Sequence, residues 1–119
     1  MYCFHSVEGY SKFGSYEGND NANGTFVHTG FRPDLVIIKS QETTTDSWMM
    51  YDTAREPHNL ADTAIFADTS GAESTSAAKA IDILSNGFKM RGADGACNNA
   101  HTYVYMAFAE TPFKYANAR

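Results

Sequence analysis

The chain has 119 residues, of which 43% are hydrophobic, 19% charged and 13% aromatic. That is enough for one domain with its own core and too little for two ordinary ones, and it excludes a disordered or collagen-like chain. Nine Lys and Arg stand against 14 Asp and Glu, a formal charge of -5. The cations are scattered, whereas a duplex-binding surface clusters them to displace condensed counterions, so no nucleic-acid partner is expected.

An anionic membrane surface is an equally poor match. No apolar run approaches the ~20 residues of a spanning helix, so no membrane insertion is expected. Met1-Tyr2-Cys3-Phe4-His5 carries neither a basic cluster nor a long apolar region, and no signal peptide is expected. Cys3 and Cys97 are too few for a disulfide framework and form no C-x-x-C pair. Two free thiols are expected, one in a strand and one in a loop, with a single bridge as the alternative.

Apolar residues recur at short period between turn residues, which argues for strands. Tyr10 to Glu17 alternates aromatic and polar positions, and the polar turn Asn19 to Gly24 follows. Thr25 to Thr29 is the next strand candidate, and then Pro33 marks a strand start. Leu35-Val36-Ile37-Ile38 reads as a strand buried on both faces. Ser47 to Tyr51 is another strand, Thr53 to Leu60 a loop containing Pro57, and Thr63 to Asp68 a short strand around Ile65-Phe66. Asp68 to Ala80 has no apolar stripe and reads as a surface loop.

Ala80 to Leu84, Ser85-Asn86-Gly87 and Phe88 to Met90 form the clearest hairpin, in which Asn-Gly supplies positive φ angles. Gly92 to Ala100 is a long loop. Thr102 to Glu110 closes the domain, with Tyr103, Tyr105, Ala107 and Ala109 on one face and Val104, Met106 and Phe108 on the other. Eight or nine short strands at roughly 10-residue spacing and no long amphipathic helix predict an all-β fold. The expected architecture is a mostly antiparallel, jelly-roll-like β-sandwich, with a closed barrel as the alternative.

Met1 to His5, followed by Lys12-Phe13, echoes Tyr105 to Ala109, followed by Lys114-Tyr115. Residues 1–9 are accordingly read as an N-terminal strand, either the end of a preceding repeat or an edge strand. Residues 10–119 are read as one β domain.

The search for chemistry returns little. His5, His28, His58 and His101 lack metal-ligand spacing, and no metal site is expected; His5 and His28 read as half-buried strand histidines. Asn19 to Gly24 has oxygen side chains at alternate positions, but Gly30 stands where a calcium loop needs a bidentate Glu, so a hairpin turn is the preferred reading. No nucleophile elbow or phosphate loop exists. Cys97 with His101 has nothing nearby to lower the thiol pKa. Asp52 with Glu56, or Asp68 with Glu73, would serve a glycosidase only if held about 5–10 Å apart across a cleft. No catalytic residues and no cofactor are expected.

What remains is binding surface. Seven Tyr, eight Phe and one Trp exceed the needs of a core this size, and Tyr and Trp offer rigid apolar faces with a polar handle. Trp48 as platform, with Asn19, Asn21, Asn98, Asn99 and His101 as hydrogen-bonding groups, forms the expected ligand-binding set. The competing reading makes Trp48, Tyr103 and Tyr105 core residues.

Four segments together resemble one family. They are Thr29-Gly30-Phe31-Arg32-Pro33-Asp34-Leu35-Val36-Ile37-Ile38-Lys39, Trp48-Met49-Met50-Tyr51-Asp52-Thr53-Ala54-Arg55, Asp82 through Met90, and Thr102 through Glu110 followed by Pro112-Phe113-Lys114-Tyr115. They are similar to a β-rich domain of virion and tail-fibre-like proteins of tailed bacteriophages, especially marine ones. The resemblance implies a non-enzymatic structural or receptor-binding module in the C-terminal part of a tail fibre, contacting a host-surface glycan or protein. The alternatives are an architectural virion domain, for capsid decoration or tail assembly, and, less favoured, a polysaccharide depolymerase. The implied partners are other virion chains, with a homotrimer by analogy. The implied location is the virion's tail or capsid surface, after synthesis in the host cytoplasm.

Overall fold

Period-two alternation governs the chain, because a strand that packs one face on a core sends successive side chains to opposite sides. In the computed structural model, which describes residues 3–110, the strands are β1 (Ser11–Glu17), β2 (Phe26–His28), β3 (Leu35–Ser40), β4 (Met49–Asp52), β5 (Thr63–Phe66), β6 (Ser74–Thr75), β7 (Ile81–Leu84), β8 (Gly87–Met90) and β9 (Thr102–Phe108). Six of them form one sheet in the order β1-β9-β3-β4-β5-β6, and three form a second in the order β2-β8-β7. Every pairing is antiparallel. The fold is a β-sandwich and not a closed barrel, and the chain changes sheet four times, at β1–β2, β2–β3, β6–β7 and β8–β9.

The core lies between the sheets. From the large sheet come Tyr16, Val36, Ile38, Met49, Tyr51, Tyr103 and Tyr105, and from the small one Val27, Ile81, Ile83, Phe88 and Met90. Phe88 meets Tyr105 edge-on at 5.4 Å and Tyr16 at 6.2 Å, so one ring from β8 joins β1 and β9. Such edge-to-face pairs contribute about 0.5–1.5 kcal/mol beyond their buried area. In β3 only Val36 and Ile38 are fully buried, while Leu35 and Ile37 are half-buried. The expectation of burial on both faces is corrected: among the described residues the second sheet covers the large sheet on one side only.

Several local expectations also change. Asn19 to Gly24 is not a hairpin turn, because β1 pairs with β9 and β2 with β8; the segment carries the chain from one sheet to the other. Gly30 takes a φ of 83° and turns the chain from β2 toward β3, a conformation glycine adopts without steric cost. Residues 68–80 hold β6 and a 3₁₀ turn at Ala77–Lys79, capped by the Ser76 side chain. His28 lies on β2 but is exposed, and His5 is exposed outside any strand.

Within residues 3–9 the chain forms no strand, only a bridge between Val7 and Ser11, so Cys3 is an exposed thiol outside a strand. Met1, Tyr2, Lys114 and Tyr115, on which the end-to-end echo partly rests, lie outside the described residues. The loop after β4 follows the free edge of β7. Asn59 Nδ2 donates to the Ile83 carbonyl at 2.9 Å, and Ile83 N–H donates to Asn59 Oδ1 at 2.8 Å. A side-chain amide thereby stands in for a neighbouring strand.

The hairpin expected at Ala80 to Met90 is present as β7 and β8, with Leu84 opposite Gly87. Its glycine has a different cause from the one expected. Neither Asn86 nor Gly87 has a positive φ; instead, a Cβ on Gly87 would lie 2.0 Å from the Val27 carbonyl oxygen. The glycine lets β2 approach β8. Gly87→Ala is therefore expected to destabilise the fold by about 2 kcal/mol, within the range for overpacking, and Asn86→Ala by less than half of that, as measured by urea unfolding.

Candidate functional site

Strand register gathers three loops at one end of the sandwich. Glu17 at the end of β1 pairs with Thr102 at the start of β9, and Ser40 at the end of β3 pairs with Tyr103. The segments 18–25, 41–48 and 92–101 therefore meet there. The last of them runs inward, with Cys97 and Asn98 fully buried, and its backbone polar groups require partners away from water.

Tyrosine hydroxyls supply many of them. Tyr16 donates to the Cys97 carbonyl. Tyr103 donates to the Gly95 carbonyl at 2.6 Å and accepts from Asn99 N–H at 2.9 Å. Tyr51 donates to the Lys79 carbonyl at 2.6 Å. Burial raises the hydroxyl pKa of Tyr16 and Tyr51 well above the usual value, and that of Tyr103 to about 12, so all three stay protonated donors. The tyrosine surplus serves this polar interior.

Asn98 completes it. Its Nδ2 lies 2.8 Å from the Gly92 carbonyl, 2.8 Å from the Asn21 carbonyl and 3.1 Å from Asn19 Oδ1. Its Oδ1 accepts from Asn19 N–H at 3.2 Å, and its own carbonyl accepts from Asp20 N–H at 2.9 Å. Asn19 and Asn21 are exposed, but their polar groups also shape the turn: Asn19 Nδ2 donates to the Asn23 carbonyl, and Asn21 Oδ1 accepts from Asn23 N–H. Asn99 is half-buried and its Oδ1 accepts from Ala100 N–H.

The residues expected to bind a ligand thus divide. Asn19, Asn21, Asn98, Asn99 and His101 converge at the loop end, but Asn98 is wholly enclosed and belongs to the framework. Trp48 lies apart, half-buried in an apolar hollow of about 210 Å³ on the outer face of the large sheet, with Phe4, Phe13, Val104 and Met106 around it.

A polar hollow of about 280 Å³ opens at the loop end, lined by Glu17, Gly18, Glu42, Ala100, His101 and Thr102. Glu42 organises it: one carboxylate oxygen accepts from Thr102 N–H at 2.8 Å, and the other lies 3.0 Å from His101 Nδ1. The Thr102 N–H first, and His101 second, hold the Glu42 carboxyl below its ordinary range. Sequence reasoning picked out His101 and missed Glu17 and Glu42. Residue order marks neither, because their adjacency to Thr102 comes from the pairing of β9 with β1 and β3. The site offers carboxylate acceptors, an imidazole and backbone groups, a set suited to hydroxyl-rich ligands.

The other groups weighed for catalysis have structural partners. Asp52 pairs with Arg55 at 2.6 Å, and Arg55 reaches Glu73 at 3.2 Å. Glu56 accepts from Thr63 N–H, and Asp68 from Trp48 N–H. Burial first, and Asp94 second, push the Cys97 thiol up to about 12, so it stays protonated. Among the described residues no group of three or more His, Cys, Asp or Glu is placed to hold a metal.

Removing the Asn98 amide strands the Gly92 and Asn21 carbonyls. Asn98→Ala is expected to destabilise the protein by roughly 2–3 kcal/mol in chemical unfolding, and Asn98→Asp by at least as much, because it places a carboxylate among acceptors. The lowered Glu42 pKa sets a pH dependence. The unfolded chain takes up the proton first as pH falls, so the stabilisation is complete above the ordinary 4.5 and is lost as pH falls through the lower folded value. Glu42→Gln should therefore flatten the loss of stability that sets in as pH falls below the ordinary 4.5, as read by thermal melts.

No curated protein and no solved structure matches the chain. One family model matches residues 1–112, described as a domain of unknown function, DUF7483. The match takes in the N-terminal segment, both sheets and the loop end, so the chain belongs to the DUF7483 family.

Proposed function

We propose that this domain is a non-enzymatic structural and attachment module of a phage virion, whose loop end contacts a host-surface glycan or protein. The observation that carries the reading is the Glu42–His101 hollow. Glu17 and Thr102 stand on the ends of β1 and β9, and the Thr102 N–H holds the loop carboxylate of Glu42, which in turn meets His101, so the polar groups are tied to the sheet and such pre-organisation lowers the cost of binding. The volume of about 280 Å³ is of saccharide-unit size. The phage setting rests on the resemblance of the Thr29 to Lys39, Trp48 to Arg55, Asp82 to Met90 and Thr102 to Glu110 segments. Many copies on one particle would turn weak single contacts into firm attachment through effective concentration.

A second reading, an architectural domain contacting other virion chains, is favoured by the apolar outer face of the large sheet. The discriminating experiment is binding of a multimerised form of the chain to bacterial surface polysaccharides and intact marine bacteria, with products checked by mass spectrometry. Under the leading reading, binding is saturable and leaves the polysaccharide intact, and Glu42→Gln or His101→Ala weakens it by about tenfold, near 1.4 kcal/mol. Binding that ignores both substitutions shifts the weight to the architectural reading, and cleaved product replaces both with a depolymerase.

A further inference from the structure

The large sheet buries one face against the small sheet; among the described residues no second sheet covers the other, and Phe4 stacks on Phe13 at its β1 edge at 5.1 Å. On that outer face the register aligns Phe13 with Met106, Met106 with Ile37, Ile37 with Met50, and Met50 with Ile65. An unbroken row of large apolar side chains therefore crosses five strands, β1, β9, β3, β4 and β5. Phe108 and Leu35 are paired on one side of it, and Val104 flanks it on the other, beside the Trp48 hollow. A solvated sheet face ordinarily carries polar residues; here they stand at Ser11, Ser15, Lys39 and Asp52, to either side of the apolar row.

We propose that this face packs against the same face of a second copy of the chain. Strands ~4.8 Å apart, with same-face residues ~6.7 Å apart along each, give three rows on five strands a projected area of about 500 Å². Two such faces remove about 1,000 Å² from water before any rim contact, which reaches the threshold for a specific interface.

Lys39 lies at one end of β3, and Asp52, which pairs with Leu35 at the other end, is bound by Arg55 of the same copy. A two-fold axis lying in the face, along the Phe13–Ile65 row, sets that row on itself and brings the Lys39 end of each copy over the Asp52 end of the other. Face-to-face sheets pack about 10 Å apart, and an isologous pairing closes without leaving a second sticky surface. None of these residues lines the Glu42–His101 hollow, so the inference stands apart from the proposed attachment site.

Sedimentation equilibrium of the full chain, from micromolar to near-millimolar concentration, tests the pairing. The expected result is a concentration-dependent dimer, weakened ~100-fold or more by Met106→Glu, which would bury an unpaired carboxylate, with the circular-dichroism spectrum unchanged. A monomer at every concentration overturns the proposal, whether the face is then covered by another part of the chain or by a different protein. So does a dimer that folded Met106→Glu leaves intact. Should Met106→Glu fail to fold, the Cys3→Ser protein with Ile37→Cys decides: a short bis-maleimide should link it into dimers and should not link the Cys3→Ser protein with His28→Cys. The reverse pattern overturns the proposal.

Discussion

A single buried carboxamide holds the loop end of this protein together. Asn98 donates to oxygens from residues 19, 21 and 92 and accepts from the backbone of residue 19, so it ties the β1–β2 crossing to the β8–β9 crossing. These are two of the four places where the chain changes sheet. Apolar contacts bring the two layers together but do not fix how the ends of the strands are joined; directional hydrogen bonds in a low-dielectric interior do. The Tyr16 and Tyr103 hydroxyls extend the same network to the Cys97 and Gly95 carbonyls. The Glu42–His101 hollow sits on top of it and inherits its geometry.

The sandwich was largely readable from residue order because its strands obey a short period. Alternation in Thr102 to Phe108 predicted the two faces of β9 as found, with Tyr103, Tyr105 and Ala107 buried. The errors came where neighbours distant in sequence decide the outcome. Leu35 to Ile38 is apolar throughout, and such a run carries no mark of whether one face or both will be covered. Asn86-Gly87 looked like a turn requirement because the strand that crowds Gly87 lies about sixty residues earlier in the chain, in β2. Asn19 to Gly24 looked like a hairpin because its partner, Asn98, could not be paired with it by spacing.

The candidate site was half legible for a related reason. Asparagine, tyrosine and tryptophan can each serve a ligand or a buried loop, and composition does not separate the two uses. Burial does: Asn98 has no surface left to offer, whereas His101 keeps part of its ring at the mouth of the hollow. Glu42 escaped notice because an acidic residue in a polar loop is commonplace. Its importance depends on the Thr102 N–H, which sits opposite it only after β9 has paired with β3. The chain thus presents two chemically unlike surfaces, a small polar hollow at the loop end and a broad apolar face along the large sheet.

The position of Trp48 has a spectroscopic consequence. As the only indole in the chain, it stands half-exposed on the outer sheet face, while the interior is built from Tyr and Phe rings. Its emission therefore reports the polarity of that face, whereas the four buried tyrosines, Tyr16, Tyr51, Tyr103 and Tyr105, sense the interior.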